Sequence, residues 1–188
     1  MYNPPISQNN WIESYPFLEA ASWIDIYKLP FAVCRDTYIQ SLQYKILHRY
    51  FNCNSNLFKW KIRKDPYCNE CGNIDTIEHF FYYCRVVNIF WNRIENWLKN
   101  IMEIYVKFTL LEIILGITFK NSFAHLCNYI VLRAKHFIYI KKKYDEELFF
   151  IEFLLKLKGN ITVEKNIMYK KGMQQKFDDI FGIVYNAL

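Results

Sequence analysis

Apolar side chains recur at helical spacing along most of this chain, and no run of alternating apolar and polar residues is long enough to predict a strand. Between Arg35 and Tyr50, the residues Tyr38, Ile39, Leu42, Ile46, Leu47 and Tyr50 return every three or four positions. This predicts an amphipathic helix that Asp36 or Thr37 can cap. From Thr76 onward, Ile77, Phe80, Phe81, Cys84, Val87, Trp91, Ile94, Leu98 and Ile101 form one stripe, which predicts the best-defined helix of the chain. Further helices are predicted near 109–117, 121–142, 145–158 and 163–186. They are separated by Gly116, Asn121, the Lys141-Lys142-Lys143 run and Gly159-Asn160. Before all of these, Pro4, Pro5, Pro16 and Pro30 are scattered among aromatic residues. That predicts an extended lead-in which docks on a body by its Trp and Phe side chains.

The fold class is therefore mainly α. With 188 residues, 53% hydrophobic and 19% aromatic, against only 5 Gly and 5 Pro, the composition excludes a disordered or collagen-like chain and predicts a soluble protein with a real core. The most apolar stretch, Phe108 to Leu132, is interrupted by Glu112, Lys120 and His125. It falls short of a membrane span and reads as buried helix. The N-terminal residues lack a basic start followed by an apolar core, so no secretory signal is predicted and an intracellular site, cytoplasmic or nuclear, is expected. In such a compartment cysteine serves as thiol or metal ligand rather than as disulfide.

One constellation carries chemistry. The spacing Cys68-x2-Cys71-x7-His79-x4-Cys84 places four soft or borderline ligands within 17 residues. A Cys-x2-Cys turn aims two thiolates at one ion, and Gly72-Asn73 offers the tight turn that such wrapping needs. Three cysteines and one histidine leave no open coordination position, so a single structural Zn2+ site is expected, not a hydrolytic one. There is one geometric obstacle. His79 and Cys84 are five apart, which on an ideal α-helix separates them by about 140°, so the first turn must be irregular or the regular helix must start nearer Cys84. Taken singly, Cys84 reads as core and His79 as an exposed first-turn histidine; the ordered set of four makes the argument. Cys34, Cys53 and Cys127 lie outside the set and read as structural thiols.

With this site the chain divides into an extended lead-in over 1–34, a small Cys3His zinc-binding helical module over 35–105, and a C-terminal helical extension over 106–188. Catalysis is not expected. There is no Gly-rich phosphate loop, no Gly-x-Ser-x-Gly elbow and no His-Glu-x-x-His pair, and Cys68-x2-Cys71 lacks the βαβ context of a redox motif. Phe177-Asp178-Asp179 is an isolated acidic pair on a helical tail, where a solvated face is the usual meaning.

The net charge of +6 is a weak pointer to an anionic partner, diluted by 18 acidic residues. Its local distribution says more. Lys59, Lys61, Arg63 and Lys64 precede the cysteines, Arg85 and Arg93 follow them, and Trp60 and Tyr67 are interleaved. Such a set could join phosphate contacts to base stacking. Equally, Trp60 could be core and the lysines a solvated surface. The later lysine run is offset by Asp145, Glu146 and Glu147.

The segment LQYKILHRYFNCNSNLFKWKIRKDPYCNECGNIDTIEHFFYYCRVVNIFWNRIENWL resembles the zinc-binding region C-terminal to the reverse transcriptase of non-LTR, LINE-type retrotransposons. The likeness rests on a helix like Leu42 to Tyr50, a Leu57-Phe58-Lys59-Trp60 element, Cys-x2-Cys, an acidic stretch like Asp75 to Glu78, then His79, Cys84 and Trp91. With the helical tail it extends over residues 35–170. The resemblance implies that Cys68, Cys71, His79 and Cys84 hold zinc, and that the chain binds RNA or RNA–DNA intermediates, as that segment does during target-primed reverse transcription. Docking to a reverse transcriptase body is a further implied partnership. Neither a membrane nor a small-molecule substrate is expected. The family's polymerase palm and endonuclease are absent from this sequence, so no enzyme activity is expected, whatever activity a parent polyprotein has. The competing expectation is a protein-interaction scaffold, or a decayed polyprotein fragment without retained activity.

Overall fold

The computed structural model describes residues 4–188, which form helices joined by short connections. Among the described residues the only β pairing is one isolated bridge. By internal contact the chain separates into two compact units. One runs up to Cys84 and takes in Leu110–Thr118; the other comprises Arg85–Thr109 and Phe119–Leu188.

The first unit begins with α1 (Ile6–Ser14), a 3-10 turn (Pro16–Ala20) and α2 (Trp23–Val33). Over residues 6–33 the expected lead-in is thus helical, not extended; its residues 1–3 lie outside the described residues. Two of its prolines sit where a helix tolerates them, Pro5 as the N-cap of α1 and Pro16 at the start of the 3-10 turn, because the amide they lack has no partner there. Its tryptophans do dock: Trp11 is fully buried and its Nε1–H donates to the Leu47 carbonyl at 2.9 Å, and Trp23 donates to the Leu18 carbonyl. Phe17 and Phe31 remain exposed.

Helix α3 (Thr37–Leu47) follows the predicted stripe, burying Ile39, Leu42 and Ile46, with the Asp36 carboxylate accepting from the Tyr38 and Ile39 amides. Helices α4 (Asn54–Lys59) and α6 (Leu110–Leu115) complete the unit. The amide of Gln43 donates to the Ile114 carbonyl at 2.8 Å and so ties α3 to the returning segment.

The second unit contains α5 (Arg85–Met102), α7 (Ser122–Lys143), α8 (Phe150–Lys170) and α9 (Gln174–Ala187). Its core is aromatic: Phe90 lies 5.6 Å from Phe137 and 5.3 Å from Phe153, and Tyr129 lies 5.0 Å from Phe181, ring centre to ring centre. Lys141 is matched by Glu146 at 2.7 Å and Glu152 at 2.6 Å, so the lysine run is partly neutralised by its own unit. No helix among the described residues is long and apolar enough to cross a membrane.

Gly159-Asn160, expected to end a helix, lies inside α8; the break comes at Gly172. One helical glycine costs only about 1 kcal/mol relative to alanine, and the buried Leu157 and Ile161 on either side outweigh it. Gly172 has φ +70°, a conformation that side chains disfavour. The two glycines should respond oppositely to alanine. A Cβ at Gly159 meets nothing within 4 Å, so Gly159→Ala is expected to raise stability by up to about 1 kcal/mol, whereas Gly172→Ala lowers it by about as much. Urea denaturation followed by circular dichroism measures both.

Candidate metal centre

The centre is built from two local devices, both in the first unit. The first is a knuckle. Tyr67 and Ile74 form the isolated bridge, the Cys68 amide donates to the Asn73 carbonyl at 2.8 Å, and the Gly72 amide donates back to the Cys68 carbonyl at 2.9 Å. Gly72 closes this turn with φ +73°, as the Gly72-Asn73 pair predicts. Cys68 and Cys71 consequently project to the same side.

The second device resolves the geometric obstacle. Thr76 Oγ1 accepts from the His79 amide at 3.1 Å and starts a helical turn, which immediately widens into a π turn over His79–Tyr83. The Cys84 amide donates to the His79 carbonyl at 2.9 Å, an i→i+5 bond that brings residues five apart onto one face. At Cys84 the backbone leaves the helix, with ψ 128°, and α5 starts afresh at Arg85. The single helix expected from Ile77 to Ile101 is therefore two. Its apolar stripe survives nearly intact: Ile77, Phe80, Phe81, Cys84, Val87, Trp91, Ile94 and Leu98 are all buried.

Together the devices bring the three sulfurs and the imidazole nitrogen within 4.8 Å of one another, a set that could hold a metal ion. Cys68 Sγ lies 3.9 Å from Cys84 Sγ, and Cys71 Sγ lies 3.3 Å from His79 Nε2. All four expected ligands are brought together. Cys68, His79 and Cys84 are buried and Cys71 is half-buried. Burial pushes the Cys71 thiol up, but the Asn73 amide groups and the Cys68 and Cys84 thiols outweigh it and leave Cys71 below the usual thiol range. Cys34, Cys53 and Cys127 are buried outside the cluster.

The knuckle also anchors the basic segment. The buried Asp75 carboxylate accepts from the Asn54 amide at 3.0 Å, capping α4 from 21 residues away, and Asn54 Nδ2 donates to the Tyr67 carbonyl at 2.7 Å. Of the candidate nucleic-acid residues, Lys59, Trp60, Lys61 and Lys64 are exposed around the end of α4. Arg63 differs. It is held by Asn69 Oδ1 at 2.7 Å and by Asp65 at 3.5 Å, so its guanidinium braces the knuckle. Arg85 and Arg93 are exposed on α5, in the other unit; eight residues apart, they point about 80° away from each other around that helix. The anchoring roles of Asp75 and Asn54 give no local signal in sequence, because each acts on a partner more than ten residues away.

No protein-family model matches the chain, and comparison with curated proteins finds no relative.

Proposed function

We propose that this chain is a zinc-stabilised module that binds RNA, or RNA–DNA intermediates, akin to the segment C-terminal to the reverse transcriptase of LINE-type retrotransposons. The observation that carries this reading is the π turn, which departs from regular helix at the one place where regularity would keep His79 and Cys84 apart. Zinc suits the donor set. A tetrahedral ion about 2.3 Å from sulfur and about 2.0–2.1 Å from nitrogen spaces its ligand atoms roughly 3.6–3.8 Å apart. The observed 3.9 and 3.3 Å bracket that spacing. Four protein ligands leave no position for a reacting water, so the ion's work is to join knuckle to π turn, and no chemistry is assigned to it.

Nucleic acid is supported by the exposed Lys59, Lys61 and Lys64 with Trp60 among them, on a segment capped by the knuckle itself. Arg85 and Arg93 add exposed cations on α5. A second reading, a scaffold that docks on a larger protein, is favoured by Ile24 and Phe31, which lie exposed seven residues apart on one face of α2.

Metal content, measured by mass spectrometry on protein purified without added zinc, tests the first part. About one zinc per chain, with the three ligand thiols becoming reactive on chelation, supports it; no bound metal refutes it. Salt dependence tests the second. If three lysines each displace a counterion from a single strand, affinity for RNA should fall about twentyfold between 50 and 200 mM salt. A flat response would favour the docking scaffold.

A further inference from the structure

Two helices near the knuckle end in the same uncommon way. At the end of α3, the Arg49 amide donates to the Ile46 carbonyl at 3.0 Å and the Tyr50 amide to the Lys45 carbonyl at 2.8 Å. At the end of α4, the Lys61 amide donates to the Phe58 carbonyl and the Ile62 amide to the Leu57 carbonyl, both at 2.9 Å. Both are Schellman closures, which require one residue in the left-handed region and normally use glycine there. This chain instead uses Arg49 at φ 54° and Lys61 at φ 59°. A side chain in that conformation costs about 1–2 kcal/mol, so two cationic residues occupy positions where glycine would be less strained. Arg49 has a structural use: its guanidinium lies 3.8 Å from the Trp11 ring centre and pairs with Glu78 at 3.6 Å. Lys61 is exposed.

The two closures fix Tyr50 and Trp60 against each other. Their ring centres are 4.9 Å apart with planes tilted by 40°, yet 65% of Tyr50 and 36% of Trp60 remain open to solvent. Exposed rings in mutual contact, on backbone locked by two hydrogen-bonded caps, form a preordered apolar shelf. Lys59, Lys61 and Lys64 surround it in sequence and are exposed. A ligand for this surface must offer flat apolar faces alternating with anionic groups. A nucleic-acid strand offers both only where its bases are unpaired; in a duplex the base faces are stacked on one another and out of reach.

We propose that Tyr50 and Trp60 are a stacking shelf for unpaired bases, with Lys59, Lys61 and Lys64 taking the flanking phosphates, so that this surface selects single-stranded over duplex nucleic acid. The proposal rests on the nucleic-acid reading above and adds strandedness and two specific residues to it. Tyr50 was legible in sequence only as part of a helix stripe. Its exposure follows from the left-handed turn at Arg49.

The test is fluorescence anisotropy with the full metal-loaded chain, using a labelled unstructured 12-nucleotide RNA and a blunt RNA duplex of the same length, at about 50 mM salt. The single strand is expected to bind at least tenfold more tightly. Trp60→Ala and Tyr50→Ala should each weaken single-strand binding by about 5- to 100-fold, the range for loss of one stacked base, while leaving duplex binding within about twofold. Trp60→Phe should recover most of the loss. Lys61→Gly supplies a control that a purely structural role cannot mimic: its melting temperature should be unchanged or higher, because strain is relieved, while RNA affinity falls. Duplex bound as tightly as single strand, or Trp60→Ala at full affinity, overturns the shelf and leaves the nucleic-acid reading standing. Binding of neither RNA overturns both.

Discussion

Cys84→Ser is expected to release the metal and to loosen the segment from Trp60 to Cys84 without dissolving the rest of its unit. The hydroxyl is a poor substitute for a thiolate toward a soft-ligand metal site, and Cys84 is one of the four candidate ligands. In small modules a structural metal supplies about 10 kcal/mol or more, comparable with the entire stability of an ordinary domain. This unit has further support in the buried cluster of Phe51, Phe80 and Phe81, whose rings lie 4.8–4.9 Å apart, and in the Trp11 anchor. Local loosening is therefore expected ahead of global unfolding. If even about 3 kcal/mol of the metal's contribution is lost, the melting temperature falls by about 10–20 °C for a unit of this size. Hydrogen exchange should show lost protection around Cys68, Gly72 and Cys84, whose amides hold the knuckle and the π turn. Cys53→Ser is the control, since Cys53 is a buried thiol outside the cluster whose pKa burial pushes up. It should keep its metal. An unchanged metal content and melting temperature in Cys84→Ser would sink the metal-centre assignment.

The second large effect is expected in the other unit, at Lys135. This α7 residue is 1% exposed, and burial pushes its ammonium pKa down from the usual 10.5 to about 7. The folded state therefore holds this proton less tightly than the unfolded chain. Between about pH 7 and pH 10.5 the unfolded chain binds more protons, so stability rises with pH across that window. Below pH 7 both states are protonated and the penalty is fully present. Above pH 10.5 both are neutral and it vanishes. Each tenfold change in proton affinity is worth about 1.4 kcal/mol, which puts the full penalty on the order of 4–5 kcal/mol. Lys135→Met keeps the length of the side chain and removes the charge. It should raise stability by several kcal/mol at pH 6, by progressively less toward pH 10, and should flatten the pH dependence of unfolding. Urea denaturation at pH 6, 8 and 10 measures this. Equal stabilisation at all three would show that Lys135 is not an ion forced into the core.

Much of the architecture was legible in the sequence because it is local. The α3 stripe and its Asp36 cap follow from residues within one turn of each other, and the clustering of Cys68, Cys71, His79 and Cys84 follows from spacing alone. What escaped depends on competition between local and distant terms. Periodicity makes Ile77 to Ile101 one helix, since the apolar stripe continues through Cys84; the π turn over His79–Tyr83, which brings His79 and Cys84 together, breaks it. Prolines argued for an extended lead-in, yet Pro5 and Pro16 stand at helix starts where they cost nothing. Gly159 looked like a terminator because its neighbour is Asn160, and only the buried Leu157 and Ile161 show why the helix runs through. The left-handed Arg49 and Lys61 have no sequence signal, because the residue type that marks such turns is absent. By sequence Trp60 fits core and surface alike; it is exposed.

The discontinuity of the first unit bears on the order in which the protein is made. Helix α6 packs against the π turn and is tied to α3 through Gln43 and Ile114, but Leu110 follows Cys84 by 26 residues. At ribosomal rates of about 5–20 residues per second, all four ligands leave the tunnel roughly one to five seconds before the helix that covers their turn. During that interval the nascent chain holds a complete coordination set on an incompletely buried scaffold. If the cluster takes a metal, capture can therefore precede closure of the core and guide it, and a premature stop near residue 105 would release a polypeptide with all four candidate ligands but without the helix that packs against their turn.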